Sequence, residues 1–157
     1  MAAAAPDLVI HLGDLSLDGA RDPAGLTYGR RLLDQLPVPW RAVPGNHDIG
    51  DNPQPGGPDG LAADESRRQR WLETVGPDYW SLTLPGWTLL ALNAQLPGSG
   101  LAAEAGQWSW LQDQVSQTPG DRQVALLSHR PLAAPEAELA PTLPPRRSSS
   151  SRTGWPS

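Results

Sequence analysis

Three segments of the chain place side chains that bind metals or transfer protons directly after apolar stretches. Gly13-Asp14, Asn46-His47-Asp48 and Ser128-His129 each follow such a stretch. Carboxylate oxygen, amide oxygen and imidazole nitrogen are ligands that suit divalent Mn, Fe or Zn. A single Asp or His in such a place is usually a turn or packing residue. Three of these segments in one chain favour a metal site.

These segments need strands that deliver them to one place. Short apolar runs predict buried strands at residues 8–12 and 124–127, and a further short strand at 40–43. Ligands of open α/β sheets gather at the carboxyl ends of strands. We therefore expect the three polar segments to meet at one edge of the structure.

Helices and a hairpin are predicted between these strands. Asp22 as N-cap and Pro23 at the first position begin a helix that Pro37 ends, with Leu26, Leu32, Leu33 and Leu36 on one face. Asp64 caps a second helix, and a third spans residues 102–117 with Trp108, Leu111 and Val115 on one face. Residues 79–84 and 87–93 around Pro85-Gly86 indicate a β-hairpin, whereas Asn46-His47-Asp48 suits a turn.

Composition limits the classes of function. The net charge of −5 argues against nucleic acid as a default partner, because phosphate contacts need clustered Lys and Arg. The absence of cysteine excludes disulfides and thiolate metal ligands. There is no apolar run of the ~18–20 residues that a membrane span needs and no convincing signal peptide. We expect a cytoplasmic protein with no membrane partner, and its oligomeric state cannot be inferred.

The composition changes after residue 132. Prolines, serines and arginines dominate residues 133–157, a composition typical of disordered segments. We therefore predict one domain over residues 1–132 and a disordered tail over 133–157.

Three sequence elements resemble the calcineurin-like metallophosphoesterase superfamily. They are Leu12-Gly13-Asp14, Pro44-Gly45-Asn46-His47-Asp48 and Ser128-His129-Arg130-Pro131-Leu132. Gly-Asp-Leu-Ser-Leu-Asp-Gly at residues 13–19 and the Trp-rich middle of the chain are similar to the class III cyclic-nucleotide phosphodiesterase branch. The resemblance covers roughly residues 6–132. It implies an α/β fold, here part of a two-sheet β-sandwich flanked by helices.

The resemblance also implies roles for five residues. Asp14 matches a carboxylate that bridges two metals, and Asn46 and His129 match ligands of the second metal. His47 matches the histidine that meets the phosphate and protonates the leaving group, with Asp48 orienting it. The implied activity is hydrolysis of phosphodiesters or phosphomonoesters at a dinuclear centre of Mn, Fe or Zn. Cyclic nucleotides are among the candidate substrates.

Two parts of the superfamily pattern are missing. No Asp-X-His precedes Asp14, and no histidine follows His129, so the Gly-His-X-His element is absent. The chain therefore looks truncated at both ends and is expected to hold at most one metal well. The alternative function is a catalytically incompetent fragment that at most binds one metal.

Three other polar residues have simpler interpretations. His11 is expected to pack in a buried strand, and Asp18 to lie in a turn. Arg130 is expected to be solvated or to cap a helix, with a phosphate contact as the less favoured alternative.

Overall fold

The computed structural model describes residues 6–52 and 61–131, which form nine helices and strands. In chain order they are β1 (Val9–Leu12), α1 (Pro23–Leu33), β2 (Trp40–Val43), α2 (Asn46–Ile49), α3 (Glu65–Thr74), β3 (Trp80–Leu84), β4 (Trp87–Leu92), α4 (Ala102–Gln117) and β5 (Gln123–Ser128). The predicted tail, and with it the proposed division at residue 132, lies outside the described residues.

The first sheet is a β–α–β unit made of β1, α1 and β2. The two strands are parallel, with Val9 opposite Trp40 and Leu12 opposite Val43. Asp22 caps α1 as predicted, because its carboxylate accepts a hydrogen bond of 2.9 Å from Ala24 N. Parallel pairing in this register brings the residues after Leu12 and after Val43 to the same edge.

The second sheet has the order β3–β4–β5. The Pro85-Gly86 turn joins β3 and β4 as an antiparallel hairpin, with Gly86 at a positive φ of 76° that favours glycine. The crossover through α4 makes β5 parallel to β4, with Leu92 opposite Ser128. Ser128 and His129 therefore leave the sheet at the carboxyl end of β4.

Two apolar clusters hold these layers together. Leu26, Ala42, Ile49, Trp71 and Val75 pack where the helices meet β2. A second cluster joins the two sheets and is formed by Val43, Trp80 and Ala91, with Ile10, Leu82 and Leu127 against it. The indole N–H of Trp80 in β3 donates to the carbonyl oxygen of Ala42 in β2 at 2.7 Å. The predicted α/β arrangement of two sheets flanked by helices is confirmed.

The predicted faces of α1 and α4 are partly wrong. Leu26 and Leu33 are buried, but Leu32 and Leu36 are exposed, and α1 ends at Leu33. Trp108 and Val115 of α4 are exposed as well. The buried residue of α4 is polar: Gln107 accepts from Asn93 N at 2.9 Å and donates to Asn93 O at 3.2 Å. A polar anchor to the end of β4 therefore sets the orientation of this helix.

The strand β5 is less buried than predicted. Val124 and Leu126 are 44% and 57% exposed, although Leu127 packs against the cluster between the sheets. Within the described residues β5 pairs only with β4 and forms an edge of the sheet. None of the helices in residues 6–52 and 61–131 is long and apolar enough to cross a membrane.

Candidate metal centre

The turn after β1 places the Asp14 carboxylate at the edge of the sheet. Gly13 has a φ of 94°, and Asp14 has a φ of 56°, a left-handed conformation that costs a non-glycine residue roughly 1–2 kcal/mol. The carboxylate is held from across the edge, since Asp14 Oδ1 accepts a hydrogen bond from His47 N at 3.1 Å. Such unfavourable backbone conformations cluster at functional sites.

Asn46, His47 and Asp48 form one turn of helix, α2, rather than the turn predicted from the sequence. Gly45 lies at its N-cap. Asp48, which is fully buried, accepts hydrogen bonds from Gly45 N at 2.9 Å, Ser16 N at 2.9 Å and Leu15 N at 3.1 Å. Asp48 therefore joins the loop after β1 to the loop after β2.

The ring of His47 is oriented by a backbone carbonyl. Its Nδ1 lies 2.7 Å from the carbonyl oxygen of Leu17, which can only accept, so Nδ1 carries the hydrogen. We expected Asp48 to orient this ring. That expectation is corrected: the hydrogen bonds of the Asp48 carboxylate go to backbone N–H groups, and two of those groups, Leu15 N–H and Ser16 N–H, belong to the loop that presents Leu17.

Opposing effects act on the ionisation of Asp48. Burial raises the pKa of this carboxyl group above its ordinary value and is the largest effect. The backbone N–H donors of Gly45, Ser16 and Leu15 lower the pKa, and the nearby charge of Asp14 raises it. The net effect is that the pKa of Asp48 lies above its ordinary value.

His129 completes a set of three converging atoms. Its Nδ1 lies 2.8 Å from the carbonyl oxygen of Leu12, so Nδ1 is again the donor and Nε2 of the neutral ring carries the lone pair. Nε2 lies 3.1 Å from Asn46 Oδ1 and 3.4 Å from Asp14 Oδ1. The structure thus brings together the three residues that the sequence singled out as metal ligands.

This donor set fits one divalent cation. When His129 is neutral, no hydrogen lies between its Nε2 and either Asn46 Oδ1 or Asp14 Oδ1, an arrangement of electron-pair donors that a cation stabilises. Donor atoms bound to one ion at about 2.1 Å are about 3.0–3.4 Å apart in octahedral or tetrahedral geometry. Both measured distances fall in this range. Asp14, Asn46 and His129 are therefore suited to hold one metal ion.

The remaining candidate residues lie elsewhere or have other partners. His11 is half-buried in β1, and its Nδ1 is buried without a partner among the described residues. Asp18 lies in a turn and forms an ion pair with Arg21. Arg130 contacts protein groups, a role that the sequence gave no means to predict because its partners are distant in the chain. The described residues contain no cluster of three or more His, Cys, Asp or Glu placed to bind a metal.

Gly45 is required by close packing at this centre, which gives a first prediction. A Cβ at residue 45 would overlap the backbone nitrogen and Oδ1 of Asp14. Replacement of Gly45 by alanine should displace the Asp14 carboxylate, weaken Mn²⁺ binding at least about 10-fold and cost about 1–3 kcal/mol of stability. Titration with Mn²⁺ and urea denaturation measure the two effects. Gly120→Ala is the matched control, because a Cβ there meets no atom within 4 Å; equal Mn²⁺ affinity in both variants would contradict the prediction.

Parallel strands that gather oxygen and nitrogen ligands at their carboxyl ends are typical of α/β metalloenzymes. The comparison of sequences gives the particular class: the calcineurin-like phosphoesterase family matches residues 2–154. The chain belongs to this family. Its members are metallophosphoesterases, hydrolases that act on phosphoric ester bonds and use divalent metal ions.

One curated relative extends the comparison. The chain is 28% identical over 131 residues to a protein of Arcobacter nitrofigilis named probable glycerophosphodiester phosphodiesterase GpdQ. The match covers 80% of this chain and 42% of the relative. The chain therefore spans less than half the length of the curated relative that it matches.

Proposed function

We propose that this chain carries part of the catalytic centre of a metal-dependent phosphodiesterase, with Asp14, Asn46 and His129 as metal ligands. The observation that supports this most is the approach of His129 Nε2 to Asn46 Oδ1 and Asp14 Oδ1, with no hydrogen between these atoms when the ring is neutral. Membership of the calcineurin-like phosphoesterase family supports the reaction class.

In this proposal the protein groups preorganise the donors. A divalent cation held here supplies Lewis acidity toward a phosphoryl oxygen and toward water. The carbonyl of Leu12 fixes the tautomer of His129, so that Nε2 presents its lone pair. The backbone N–H of His47 fixes Oδ1 of Asp14. These contacts set the donor positions before any ion binds.

His47 is proposed as the group that donates a proton to the leaving oxygen. The carbonyl of Leu17 holds Nδ1–H, which leaves Nε2 as the ring nitrogen that can transfer a proton. Nε2 of His47 forms no hydrogen bond with the described residues. Asp48 is proposed to act indirectly, by fixing the loop that presents the Leu17 carbonyl.

The proposed substrates are small phosphodiesters. A glycerophosphodiester is favoured by the name of the Arcobacter nitrofigilis relative. A cyclic nucleotide, expected from the similarity of residues 13–19 to the class III branch, is the second candidate. Hydrolysis rates of glycerophosphoethanolamine and cyclic AMP under the same conditions distinguish them.

A centre with two metals is the finer form of this proposal, with Asp14 bridging the ions. The described residues offer three converging donors, which is enough for one ion, and the alternative is a chain that binds one metal without turnover. Metal-dependent hydrolysis of bis(p-nitrophenyl) phosphate by the 157-residue chain would support the enzyme. Saturable Mn²⁺ binding without hydrolysis would support the alternative. A cytoplasmic location is part of the same proposal.

The proposed role of His47 gives a second prediction. In an active preparation, His47→Ala should lower kcat for glycerophosphoethanolamine by about 10²–10⁴, because an alkoxide needs a proton as it leaves. The effect on bis(p-nitrophenyl) phosphate should be smaller, since p-nitrophenolate is a good leaving group. Steady-state kinetics on both substrates measure the difference. An equal loss on both would contradict proton donation by His47.

A further inference from the structure

Arg130, which directly follows the proposed ligand His129, reaches across the edge of the sheets. Its Nη2 donates to Asp51 Oδ1, to Asn52 Oδ1 at 3.0 Å and to Gln95 Oε1. These three acceptors come from two different loops, one after α2 and one after β4. Arg130 is therefore bound to protein groups rather than solvated or capping a helix.

The acceptors of Arg130 are themselves fixed. Asp51 N donates to Leu61 O at 2.8 Å, and the Asp51 carbonyl accepts from Ala63 N. The amide of Asn52 donates to Pro97 O at 2.9 Å. Gln95 is fully buried, and its backbone N–H donates to Asn93 Oδ1 at 2.9 Å. Because its acceptors are fixed, Arg130 is held in one position, and so is the neighbouring residue His129.

The ion pair between Arg130 and Asp51 is half-buried, and its carboxylate is the more buried partner. The Asp51 side chain is 12% exposed and that of Arg130 is 32% exposed. Loss of one partner would leave a largely buried, uncompensated charge, which is far less favourable than loss of a surface pair. All three contacts come from Nη2, whose two hydrogens are shared among Asp51, Asn52 and Gln95.

The hydrogen-bond network of Arg130 with Asp51, Asn52 and Gln95 lies next to the proposed metal ligands in the chain. Asp51 and Asn52 directly follow the segment Asn46–Gly50, which comprises α2 and its C-cap and carries the Asn46 ligand. Arg130 is covalently next to His129. The network thus joins the two chain segments whose ligand atoms, Asn46 Oδ1 and His129 Nε2, lie 3.1 Å apart.

We propose that Arg130 is a positioning residue that holds His129 at the correct separation from Asn46 for metal binding. This inference rests on the proposed function, because it assumes that these two residues are ligands. It assigns Arg130 no contact with the metal or the substrate. Arg130 acts on the position of His129 through its hydrogen bonds to Asp51, Asn52 and Gln95.

The test is Mn²⁺ affinity of the whole chain, measured by the electron paramagnetic resonance signal of free Mn²⁺. Arg130→Ala should weaken binding about 10–100-fold, the effect typical of groups that orient metal ligands. Arg130→Lys should give partial rescue. In the metal-free protein, Arg130→Ala should also speed hydrogen exchange at the amides of residues 48–52. Should Arg130→Ala fail to fold, Asp51→Asn removes the same charge pair and should weaken Mn²⁺ binding in the same direction.

Arg122 supplies the matched control. It precedes the opposite end of β5, and its guanidinium donates to Leu84 O at 3.0 Å and to Trp87 O at 3.5 Å. Arg122→Ala should leave Mn²⁺ affinity within about threefold of wild type, since it does not touch the segments that carry the ligands. Equal Mn²⁺ affinities of wild type and Arg130→Ala would overturn the inference alone. A wild-type chain that binds no Mn²⁺ would overturn the proposed function and this inference with it.

Discussion

Replacement of Asp14 by alanine should lower the affinity of the chain for Mn²⁺ at least about 100-fold. Asp14 supplies the negative charge of the donor set, whereas Asn46 and His129 are neutral ligands. Its Oδ1 lies 3.4 Å from His129 Nε2, within the spacing of donors that share an ion. Loss of groups that merely orient ligands already costs about 10–100-fold, so loss of the ligand itself should cost more. Isothermal titration with Mn²⁺ measures the change, and any phosphodiester hydrolysis should disappear with it.

The control for this experiment is Asp22→Asn. Asp22 is an exposed N-cap of α1, and asparagine caps helices about as well as aspartate. This variant removes the same unit of charge without touching the centre and should bind Mn²⁺ like the wild type. If Asp14→Ala retains wild-type Mn²⁺ affinity, Asp14 is not a ligand.

Asp48→Ala should be the substitution at this edge with the largest effect on stability. The Asp48 carboxylate satisfies three backbone N–H groups, those of Leu15, Ser16 and Gly45. Each donor left without a partner in a buried place costs about 1–3 kcal/mol, so the free energy of unfolding should fall by about 3 kcal/mol or more. Urea denaturation of the metal-free protein, followed by tryptophan fluorescence, measures the loss.

Asp64→Ala is the comparison that distinguishes the role of Asp48, which accepts from three backbone N–H groups, from ordinary helix capping. Asp64 accepts from Arg67 N at 2.8 Å and is the N-cap of α3. Loss of such a cap typically costs about 1 kcal/mol. A cost for Asp48→Ala no larger than that of Asp64→Ala would mean that water or neighbouring groups satisfy the three donors. It would leave Asp48 without the structural role that the geometry assigns to it.

The meeting of three polar segments was accessible from the sequence because its determinants are local, whereas the choice of Asp14, Asn46 and His129 as proposed ligands rested on the resemblance to the superfamily. Short apolar runs end in Gly13-Asp14, in Gly45-Asn46 and in Ser128-His129. Parallel pairing of β1 with β2 brings the first two ends together, and parallel pairing of β5 with β4 sets the direction of the third. The cap at Asp22 and the hairpin at Pro85-Gly86 follow from residue types whose backbone preferences are strong. These features need no knowledge of the tertiary structure.

The partners that orient His129 and His47 were not accessible in this way. His129 and His47 are oriented by the carbonyl oxygens of Leu12 and Leu17. Every residue has a carbonyl oxygen, so nothing in the sequence marks these two. The partners of Arg130, among them Asp51 and Gln95, are likewise determined by tertiary packing rather than by spacing along the chain.

The hydrophobic pattern of the sequence also predicted the burial of some residues in α4 and β5 wrongly. Trp108 and Leu126 are exposed because a helix or an edge strand buries only the part that a neighbouring element covers. Gln107 occupies the buried place on α4 because both ends of its amide are paired with the backbone of Asn93. A paired polar group can be buried at little cost, so hydrophobicity predicts such positions poorly.

The most direct test of the proposed metal centre is the anomalous diffraction of crystals of this chain grown with Mn²⁺. We predict an anomalous peak about 2.0–2.3 Å from Asp14 Oδ1, Asn46 Oδ1 and His129 Nε2, with Arg130 bound to Asp51 and not to the ion. Mn²⁺ bound only elsewhere, or hydrogen bonds from a protonated His129 in place of the ion at saturating Mn²⁺, would contradict it.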